Sequence, residues 1–357
     1  MQIIKNSKTP FIVAGPCSAE TEDQVIQVCK AIAASTDTQM LRAGIWKPRT
    51  RPNSFEGLGE EALPWLVQAG KETQLPVTTE VANKSHVEIA LKAGVDVLWI
   101  GARTTVNPFA IQEIADALKG VDIPVMVKNP INPDLNLWIG AFERLQKAGI
   151  ENLVAIHRGF SIYKHPKYRN IPNWEIPIAL KEEMPNIPII CAPSHISGKR
   201  EGLLEVSQKA LDLNFDGLMI ETHPNPDEAW SDPKQQVTPE GLKSILSQLK
   251  LRREEIGEAE KGYIELMRDK ISTLDDKLFN MLMQRMRLTE EIGIYKREND
   301  ITILQQEHWK NVIQKRMSQA DEFKLTPAFV RAFMDAIHQE AIRHQTKVMN
   351  PDLRKEV

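Results

Sequence analysis

The chain has 357 residues, of which 42% are hydrophobic and 26% are charged, and its formal net charge is −3. This composition is that of a globular protein large enough for a full-sized domain and a smaller second one. The slight negative charge provides no general attraction to nucleic acid or to an anionic membrane. Three cysteines are too few for a disulfide scaffold, no apolar run is long enough to span a membrane, and the start lacks the layout of a signal peptide. We therefore expect a cytoplasmic protein that binds neither nucleic acid nor membrane.

Up to about residue 250 the sequence repeats one unit, a short apolar run followed by a polar loop and an amphipathic stretch with helical spacing. The apolar runs lie at 10–16, 40–45, 76–81, 97–102, 125–130, 153–159, 189–194 and 218–223. Strands that are apolar on both faces and separated by helices are typical of a parallel sheet, and eight such units close a (β/α)8 (TIM) barrel. We predict this barrel over residues 1–251. A doubly wound open sheet is the alternative, but no glycine-rich phosphate loop follows the first strand.

Glycines mark the ends of several predicted barrel helices. Gly70, Gly94 and Gly149 each follow an amphipathic stretch, where a residue with positive φ commonly ends a helix. We predict all three as C-terminal caps.

After Leu251 the composition changes. Residues 252–262 are charged and lack an apolar face, which predicts a linker. From Tyr263 to about Asn299 apolar residues recur at helical spacing, and two further helices are predicted over about 304–319 and 326–348. The first of these helices exceeds ordinary globular length, so we expect the small all-α domain, residues 263–357, to pair with a second chain.

Ionisable side chains follow every predicted barrel strand, and the C-terminal ends of barrel strands are where such enzymes place their active sites. They include Cys17, Arg42, Glu80, Arg103, Lys128, His157, Arg158, His195, Glu221 and His223. Taken alone, Cys17 is an inert core thiol, a redox switch, a nucleophile or a metal ligand. Together, Cys17, His195, Glu221 and Asp232 form a mixed set of donors that suits a divalent Mn, Fe, Co or Zn ion.

A second group of side chains near the strand ends is cationic. Its members are Arg42, Lys47, Arg49, Arg103, Lys128, Arg158 and Arg200. Because Arg42 and Lys128 lie in apolar runs, where unpaired charge is costly, the group indicates a binding pocket rather than ordinary polar loops. Such a pocket suits phosphorylated, carboxylated substrates, and a metal ion beside it would polarise a carbonyl group.

Eight motifs occur in a fixed order over residues 10–250, namely GPCS, RAG-x2-KPRT, TEV, GAR, VKNP, HRG, PSH-x2-GKR and ETH-x7-SD-x2-Q. In this order they resemble the type I 3-deoxy-D-arabino-heptulosonate 7-phosphate (DAHP) synthases. The resemblance is to the compact beta subgroup, related to 3-deoxy-D-manno-octulosonate 8-phosphate (KDO8P) synthase. It implies condensation of phosphoenolpyruvate with erythrose 4-phosphate, the first step of the shikimate pathway.

The resemblance also implies roles for individual residues. The implied metal ligands are Cys17, His195, Glu221 and Asp232. The residues implied around phosphoenolpyruvate are Lys47, Arg103, Lys128 and Arg158, with Arg42 beside them, and those for the phosphate of erythrose 4-phosphate are Arg49 and Thr50. Lys47 and Lys128 are the expected catalytic residues of the barrel, and Arg200 is a further expected substrate-binding residue. Glu80 or His223 would position water or a proton.

The KPRT motif separates this interpretation from KDO8P synthase, in which the corresponding loop usually reads like KANRSS. The alternative is therefore a KDO8P synthase-like barrel whose helical tail is a non-catalytic dimerisation or sensor domain.

On the first tail helix, Arg285 and Lys296 are eleven residues apart and so lie within roughly 20° of each other around the helix. Two cations on one apolar stripe indicate a buried anion site. The segments LMRDKISTLDDKLFNMLMQRMRLTEEIGIYK (266–296) and IHQEAIRHQ (337–345) resemble the first and last helices of the all-α chorismate mutases, which are interlaced dimers.

This second resemblance implies that Arg285 and Arg268 of the partner subunit hold the two carboxylates of chorismate. Lys296 and Gln345 would lie at the ether oxygen, where negative charge builds as chorismate rearranges to prephenate. The chain departs from the family pattern at Gln305, His308, Trp309 and Ala341. We expect a bifunctional enzyme, a homodimer through its tail, whose synthase is inhibited by prephenate or chorismate bound to that tail.

Overall fold

The computed structural model of the chain describes residues 4, 9–49, 54–163, 167–253 and 256–351. They form two compact units, Met1–Glu254 and Glu255–Val357. Within the described ranges, every helix is too short or too polar to cross a lipid bilayer.

The first unit is a closed barrel of parallel strands, which confirms the predicted fold class. The barrel strands are β1 (Phe11–Gly15), β2 (Met40–Arg42), β3 (Val77–Val81), β4 (Val97–Ile100), β5 (Val125–Lys128), β6 (Leu153–His157), β9 (Ile189–Cys191) and β10 (Gly217–Glu221), with an antiparallel pair, β7 (Phe160–Ser161) and β8 (Asn170–Ile171), inserted after β6. Their order around the barrel is β1-β10-β9-β6-β5-β4-β3-β2. Each predicted apolar run contains or overlaps one barrel strand.

Helices follow or connect the barrel strands. They are α1 (Glu22–Ser35), α2 (Leu63–Thr73), α3 (Lys84–Ala93), α4 (Ala102–Thr105), α5 (Pro108–Ala117), α6 (Leu135–Lys147), α7 (Glu175–Glu183), α8 (Pro193–Ser197), α9 (Leu203–Asp212) and α10 (Pro239–Gln248). Side-chain caps explain several starts: Thr21 accepts from the Gln24 amide at α1, and Thr238 from the Gly241 amide at α10.

Two of the three predicted glycine positions at helix ends are confirmed. Gly94 caps α3 with φ 85°, and Gly149 follows α6 with φ 92°. The prediction for Gly70 is wrong, because α2 continues to Thr73. A Cβ on Gly70 would lie 2.6 Å from Val77 Cγ1, so this glycine permits close packing of a helix on a strand.

The barrel has an apolar layer on each side of its sheet. The larger layer lies between strands and helices, and a smaller cluster contains Val13, Met40, Trp99 and Met126. Along β1 the residues alternate between the two layers, since Ile12 belongs to the larger and Val13 to the smaller. The candidate site described below lies at the carboxyl ends of these strands, whose other residues are mostly apolar on both faces.

The described part of the second unit contains three helices, α11 (Glu258–Glu298), α12 (Gln306–Ser318) and α13 (Pro327–Met349). The first begins inside the segment predicted as a linker. Thr326 caps α13 by accepting from the Phe329 amide. A Cβ on Gly293 of α11 would lie 2.6 Å from Val348 Cγ2, so α11 and α13 pack closely there.

Candidate metal centre and active sites

Three predicted metal ligands meet at the C-terminal ends of β1 and β10. Cys17 follows β1, Glu221 ends β10, and Asp232 lies in the segment after β10. Gly15 pairs with Glu221 in the parallel register, so the two strand ends lie side by side. One donor atom from each of the three side chains lies within 4.8 Å of the others, and Cys17 Sγ is 3.3 Å from Asp232 Oδ2.

His195, the fourth predicted ligand, lies in the short helix α8 after β9. Its Nε2 is 3.6 Å from Glu221 Oε1, so it approaches the cluster through that carboxylate. Burial, followed by the nearby cations Lys128 and Arg158, lowers the pKa of His195 well below its ordinary value. The imidazole is therefore neutral, which is the form that binds metal ions.

An unsatisfied polar atom supports a metal at this place. Among the described residues, Glu221 Oε1 is buried and accepts no hydrogen bond, although Arg42 Nη2 lies 3.3 Å from it. Burial of polar atoms without partners is costly, and coordination of an ion removes that cost.

The charges of the donor groups also fit a divalent ion. Burial raises the pKa of the Cys17 thiol to about 12, and Glu221 adds to this shift. Burial would also raise the pKa of Asp232, but Arg169 and other cations hold it at about 2. The pKa of Glu221 is also lowered. Burial alone would raise it, but the charge of Arg42, with that of Lys47, has the larger effect. Two ionised carboxylates beside a thiol form a site whose charge a divalent ion would balance, and coordination deprotonates a thiol.

A cationic pocket adjoins these donors. One cavity is lined by most of the predicted cations, namely Arg42, Lys47, Arg49, Arg103, Lys128 and Arg158. Cys17, His195 and Asp232 line the same cavity, so metal-ligand candidates and cations face one space. Thr50, predicted with Arg49 as a phosphate-binding residue, lies outside the described residues.

Arg200, the remaining predicted cation, does not line this cavity. Its Nη2 donates to Asp227 Oδ1 at 2.6 Å and to the Pro233 carbonyl at 2.8 Å, and its Nε donates to the Gln236 carbonyl at 2.7 Å. The guanidinium of Arg200 therefore holds the segment that carries Asp232. Sequence spacing alone did not distinguish this use from substrate binding.

Trp99 of β4 forms a shared wall for two of the cations. Arg42 Cζ lies 4.8 Å and Lys128 Nζ lies 5.1 Å from its ring centroid, both over the ring. The indole Nε1 donates to Glu80 Oε2 at 2.7 Å, and that oxygen is 3.7 Å from Lys128 Nζ. Burial lowers the pKa of Lys128 to about 8, although Glu80 opposes the shift. Lys128 can therefore hold or release a proton near neutral pH.

Lys47 and Arg158 are held by specific contacts. Lys47 Nζ donates to Cys17 Sγ at 2.7 Å and to the Cys17 carbonyl at 3.0 Å. Arg158 Nη1 donates to Asn170 Oδ1 on β8 at 2.8 Å and to the Gly159 carbonyl at 3.2 Å. The short β7–β8 pair therefore orients one of the buried cations of the pocket.

The structure separates the histidines near the strand ends. His157 packs among the rings of Phe160, Trp174 and Phe215, and burial lowers its pKa to about 3, so it belongs to the core. His223 Nε2 lies 3.3 Å from Glu20 Oε2, and His223 does not line the cavity. Of the two residues predicted to position water or a proton, only Glu80 lines the cavity.

Sequence analysis missed Trp99 and Arg169 as lining residues. Trp99 was read only as part of an apolar strand. Arg169 lies in a polar stretch outside every recognised motif, yet its Nη1 is 3.0 Å from Asp232 Oδ1. Only the fold brings them to the cavity.

In the helical unit, Lys296 of α11 meets Gln345 of α13. Lys296 Nζ is buried and donates to Gln345 Oε1 at 3.2 Å and to the Ile303 carbonyl at 2.7 Å. Arg285 is half-buried, its Nη1 has no hydrogen-bond partner among the described residues, and burial lowers its pKa. Arg268 lies on the same helix and is exposed.

One departure from the mutase pattern forms an aromatic surface. Trp309 stacks on His338 with ring centroids 3.7 Å apart and an interplanar angle of 8°. Burial, followed by the charge of Arg285, lowers the pKa of His338. Ala341 is buried, and Gln305 precedes the first residue of α12. A flat, uncharged surface thus lies near Arg285.

Comparison with known proteins identifies both units. Residues 2–257 match the model of the DAHP synthetase I family, and residues 267–346 match that of chorismate mutase type II. The chain is 28% identical over 246 residues to phospho-2-dehydro-3-deoxyheptonate aldolase of Thermotoga maritima, covering 69% of this chain and 70% of that protein. It is 26% identical over 272 residues to 2-dehydro-3-deoxyphosphooctonate aldolase of Francisella tularensis subsp. holarctica, covering 69% of this chain and 92% of that protein.

A solved structure agrees with the first match. The crystal structure of the Thermotoga maritima phospho-2-dehydro-3-deoxyheptonate aldolase (DAHP synthase) superposes with a TM-score of 0.62 at 26% identity, covering 69% of each chain. The chain therefore belongs to the DAHP synthetase I family and carries a C-terminal chorismate mutase type II domain.

Proposed function

We propose that the barrel condenses phosphoenolpyruvate with erythrose 4-phosphate to give DAHP and phosphate, and that the helical domain rearranges chorismate to prephenate. The observation that carries the first activity is the single cavity that contains Cys17, His195 and Asp232 together with six cations. That space suits two anionic phosphorylated substrates held beside a divalent ion.

In the barrel the cations bind and orient. Lys47, Arg103, Lys128 and Arg158 hold the phosphate and carboxylate of phosphoenolpyruvate, with Arg42 beside them, and Arg49 holds the phosphate of erythrose 4-phosphate. A divalent ion held by Cys17, His195, Glu221 and Asp232 would polarise the aldehyde carbonyl. Lys128, with its pKa of about 8, is placed to exchange a proton with the reacting groups, and Glu80 fixes its position.

Substrate choice and metal dependence test this proposal together. The purified full chain is expected to consume erythrose 4-phosphate rather than arabinose 5-phosphate in the presence of phosphoenolpyruvate. Chelation is expected to reduce condensation to background and leave chorismate rearrangement unchanged, because the cluster of metal-binding side chains found among the described residues lies in the barrel.

Adding back Mn, Fe, Co or Zn one at a time, with metal analysis of the protein as isolated, identifies the ion that restores the rate. Consumption of arabinose 5-phosphate instead would favour the KDO8P synthase alternative. Condensation that survives complete chelation would contradict the metal assignment.

In the helical domain the residues stabilise charge. Arg285 and Arg268 of the partner subunit would hold the two carboxylates of chorismate, and Lys296 with Gln345 would face the ether oxygen as its bond breaks. The 3.2 Å contact between Lys296 Nζ and Gln345 Oε1 supports this role, since it fixes a buried ammonium group before substrate arrives.

The exposed apolar side chains of α11 support a homodimer. They include Tyr263, Leu266, Ile271, Leu274, Leu278, Phe279, Met281, Leu288, Ile292 and Tyr295. So many large exposed apolar side chains on one helix support the proposal that α11 contacts a second chain.

Sedimentation is expected to show a dimer for the wild-type chain and a monomer for Leu274→Glu with Leu278→Glu. Mutase activity is expected to fall when dimerisation is lost, because each site would need Arg268 of the partner subunit. Ser272→Glu with Asn280→Glu, both exposed and roughly 120° or more from Leu274 around the helix, adds the same two negative charges and should leave the dimer intact. A fully active monomer would refute a shared site.

We also propose that prephenate or chorismate inhibits the synthase through the helical domain, since that domain already carries the anion site of the pathway product. Synthase rates measured with saturating prephenate are expected to fall. Arg285→Ala should abolish the inhibition while preserving the uninhibited rate. Equal synthase rates with and without either compound would refute this regulation.

A further inference from the structure

Two consecutive buried glutamines follow Asp232 in the segment after β10. Gln235 and Gln236 each contact an element that carries a predicted metal ligand. We propose that both are positioning residues of the metal centre, which fix the ligands before an ion binds. This inference rests on the proposed metal-dependent condensation and adds residues to which that proposal gives no role.

The side-chain amide of Gln235 joins Arg169 to Glu221. Arg169 Nη1 lies 2.6 Å from Gln235 Oε1, and Gln235 Nε2 lies 2.6 Å from Glu221 Oε2. A guanidinium can only donate, so the amide oxygen must face Arg169 and the amide NH2 must face the carboxylate. Gln235 therefore donates a hydrogen bond to Glu221 Oε2.

The two carboxylate oxygens of Glu221 have different contacts. Oε2 accepts from Gln235, whereas Oε1 accepts no hydrogen bond from the described residues and lies 3.3 Å from Arg42 Nη2 and 3.6 Å from His195 Nε2. The oxygen without a hydrogen bond therefore faces both Arg42 and another predicted ligand, His195.

The two carboxylate oxygens of Asp232 also have different contacts. Its Oδ1 accepts from Arg169 at 3.0 Å, and its Oδ2 lies 3.3 Å from Cys17 Sγ. Arg169 and Gln235 therefore link the two carboxylates into one hydrogen-bonded chain. The other oxygen of each carboxylate faces a further predicted ligand, Cys17 for Asp232 and His195 for Glu221, with an arginine also within 4 Å. Without this chain either carboxylate could rotate, and rotation costs metal affinity.

Gln236 links the segment after β1 to the segment after β10. Its Oε1 accepts from the Cys17 backbone amide at 2.9 Å, and its Nε2 donates to the Ser231 carbonyl at 2.8 Å. Ser231 precedes Asp232, whose φ of 49° is a left-handed conformation that a non-glycine residue adopts only when its surroundings hold it. One side chain thus fixes the backbone beside two ligands that lie far apart in sequence.

The test measures Co(II) binding to the full-length chain after chelation, by calorimetry and by the thiolate-to-cobalt absorbance band. Gln235→Leu and Gln236→Leu are each expected to weaken binding about 10–100-fold, as outer contacts of metal ligands typically do. Gln236→Leu should also alter the absorbance band, because it loosens Cys17. Gln39→Leu is the matched control, since Gln39 Oε1 accepts from the Ile12 amide at the opposite end of the barrel.

An isosteric variant guards against loss of folding. Gln235→Glu keeps the acceptor for Arg169 but replaces the donor to Glu221 with a second acceptor, so it should also weaken binding. Metal-free thermal unfolding identifies any variant that is merely unfolded. Wild-type affinity in Gln235→Glu, or in folded Gln235→Leu and Gln236→Leu, would overturn the inference. If instead wild-type and Cys17→Ala chains bind Co(II) equally, the proposed metal centre itself fails.

Discussion

Cys17→Ala is expected to abolish condensation while chorismate rearrangement continues at the wild-type rate. The thiol lies 3.3 Å from Asp232 Oδ2 and within 4.8 Å of a Glu221 oxygen, so its removal takes a donor from the centre of the site. The condensation rate should fall by more than about 10²-fold, because outer contacts of metal ligands alone are worth 10–100-fold. Parallel assays of phosphoenolpyruvate and chorismate consumption measure both activities in one preparation.

Cys29→Ala is the matched control for this variant. Cys29 is also fully buried, in α1, and burial raises its pKa to about 12, but it lies in the apolar layer between helices and sheet. The Cys29→Ala variant should lose a little stability and should bind metal as the wild-type chain does. Retention of condensation by metal-loaded Cys17→Ala would show that this cysteine is a core thiol after all.

Arg285→Ala is expected to produce the reverse pattern, a loss of mutase activity with condensation unchanged in the absence of effectors. Arg285 is half-buried and its Nη1 has no hydrogen-bond partner among the described residues, so its charge is available to a bound carboxylate. Loss of one such preorganised donor typically costs 10²–10³-fold in rate, so we expect a fall of about that size. The decrease in chorismate absorbance measures it.

Arg287→Ala separates the charge from its position. Arg287 is two residues further along α11 and is exposed, and its Nη2 lies 3.8 Å from Met283 Sδ. Its removal changes the net charge equally and should leave the mutase rate near wild type. A similar loss in both variants would indicate a general effect of charge, and an active Arg285→Ala would remove this residue from the site.

The barrel was predictable because its strands are buried on both faces. A parallel strand such as β6 needs an unbroken apolar run, and this signal is visible without any tertiary information. The end of α2 was not predictable, because Gly70 looks like a helix cap in sequence. Its actual role depends on Val77, whose approach only the packed fold determines.

The ligand candidates were predictable because each lies at or after the end of a barrel strand, and strand ends share one rim. The residues that hold them were not. Gln236 contacts the Cys17 amide across 219 positions of sequence, and nothing in the local pattern around either residue indicates that pairing. Arg200 illustrates the opposite error, since a cation beside a ligand motif was assigned to substrate although it binds Asp227.

The lining of the barrel cavity has a consequence for how substrates arrive. Its arginines and lysines outnumber Glu80 and Asp232, although the chain as a whole has a net charge of −3. The cavity lining is positively charged, whereas the protein as a whole is negatively charged. The electric field of the lining is therefore focused outward through the opening, so anionic metabolites are attracted to this face and repelled elsewhere. Such steering is screened by salt over about 8 Å at physiological ionic strength, which makes the rate of encounter, more than the chemistry, sensitive to the ionic composition of the solution.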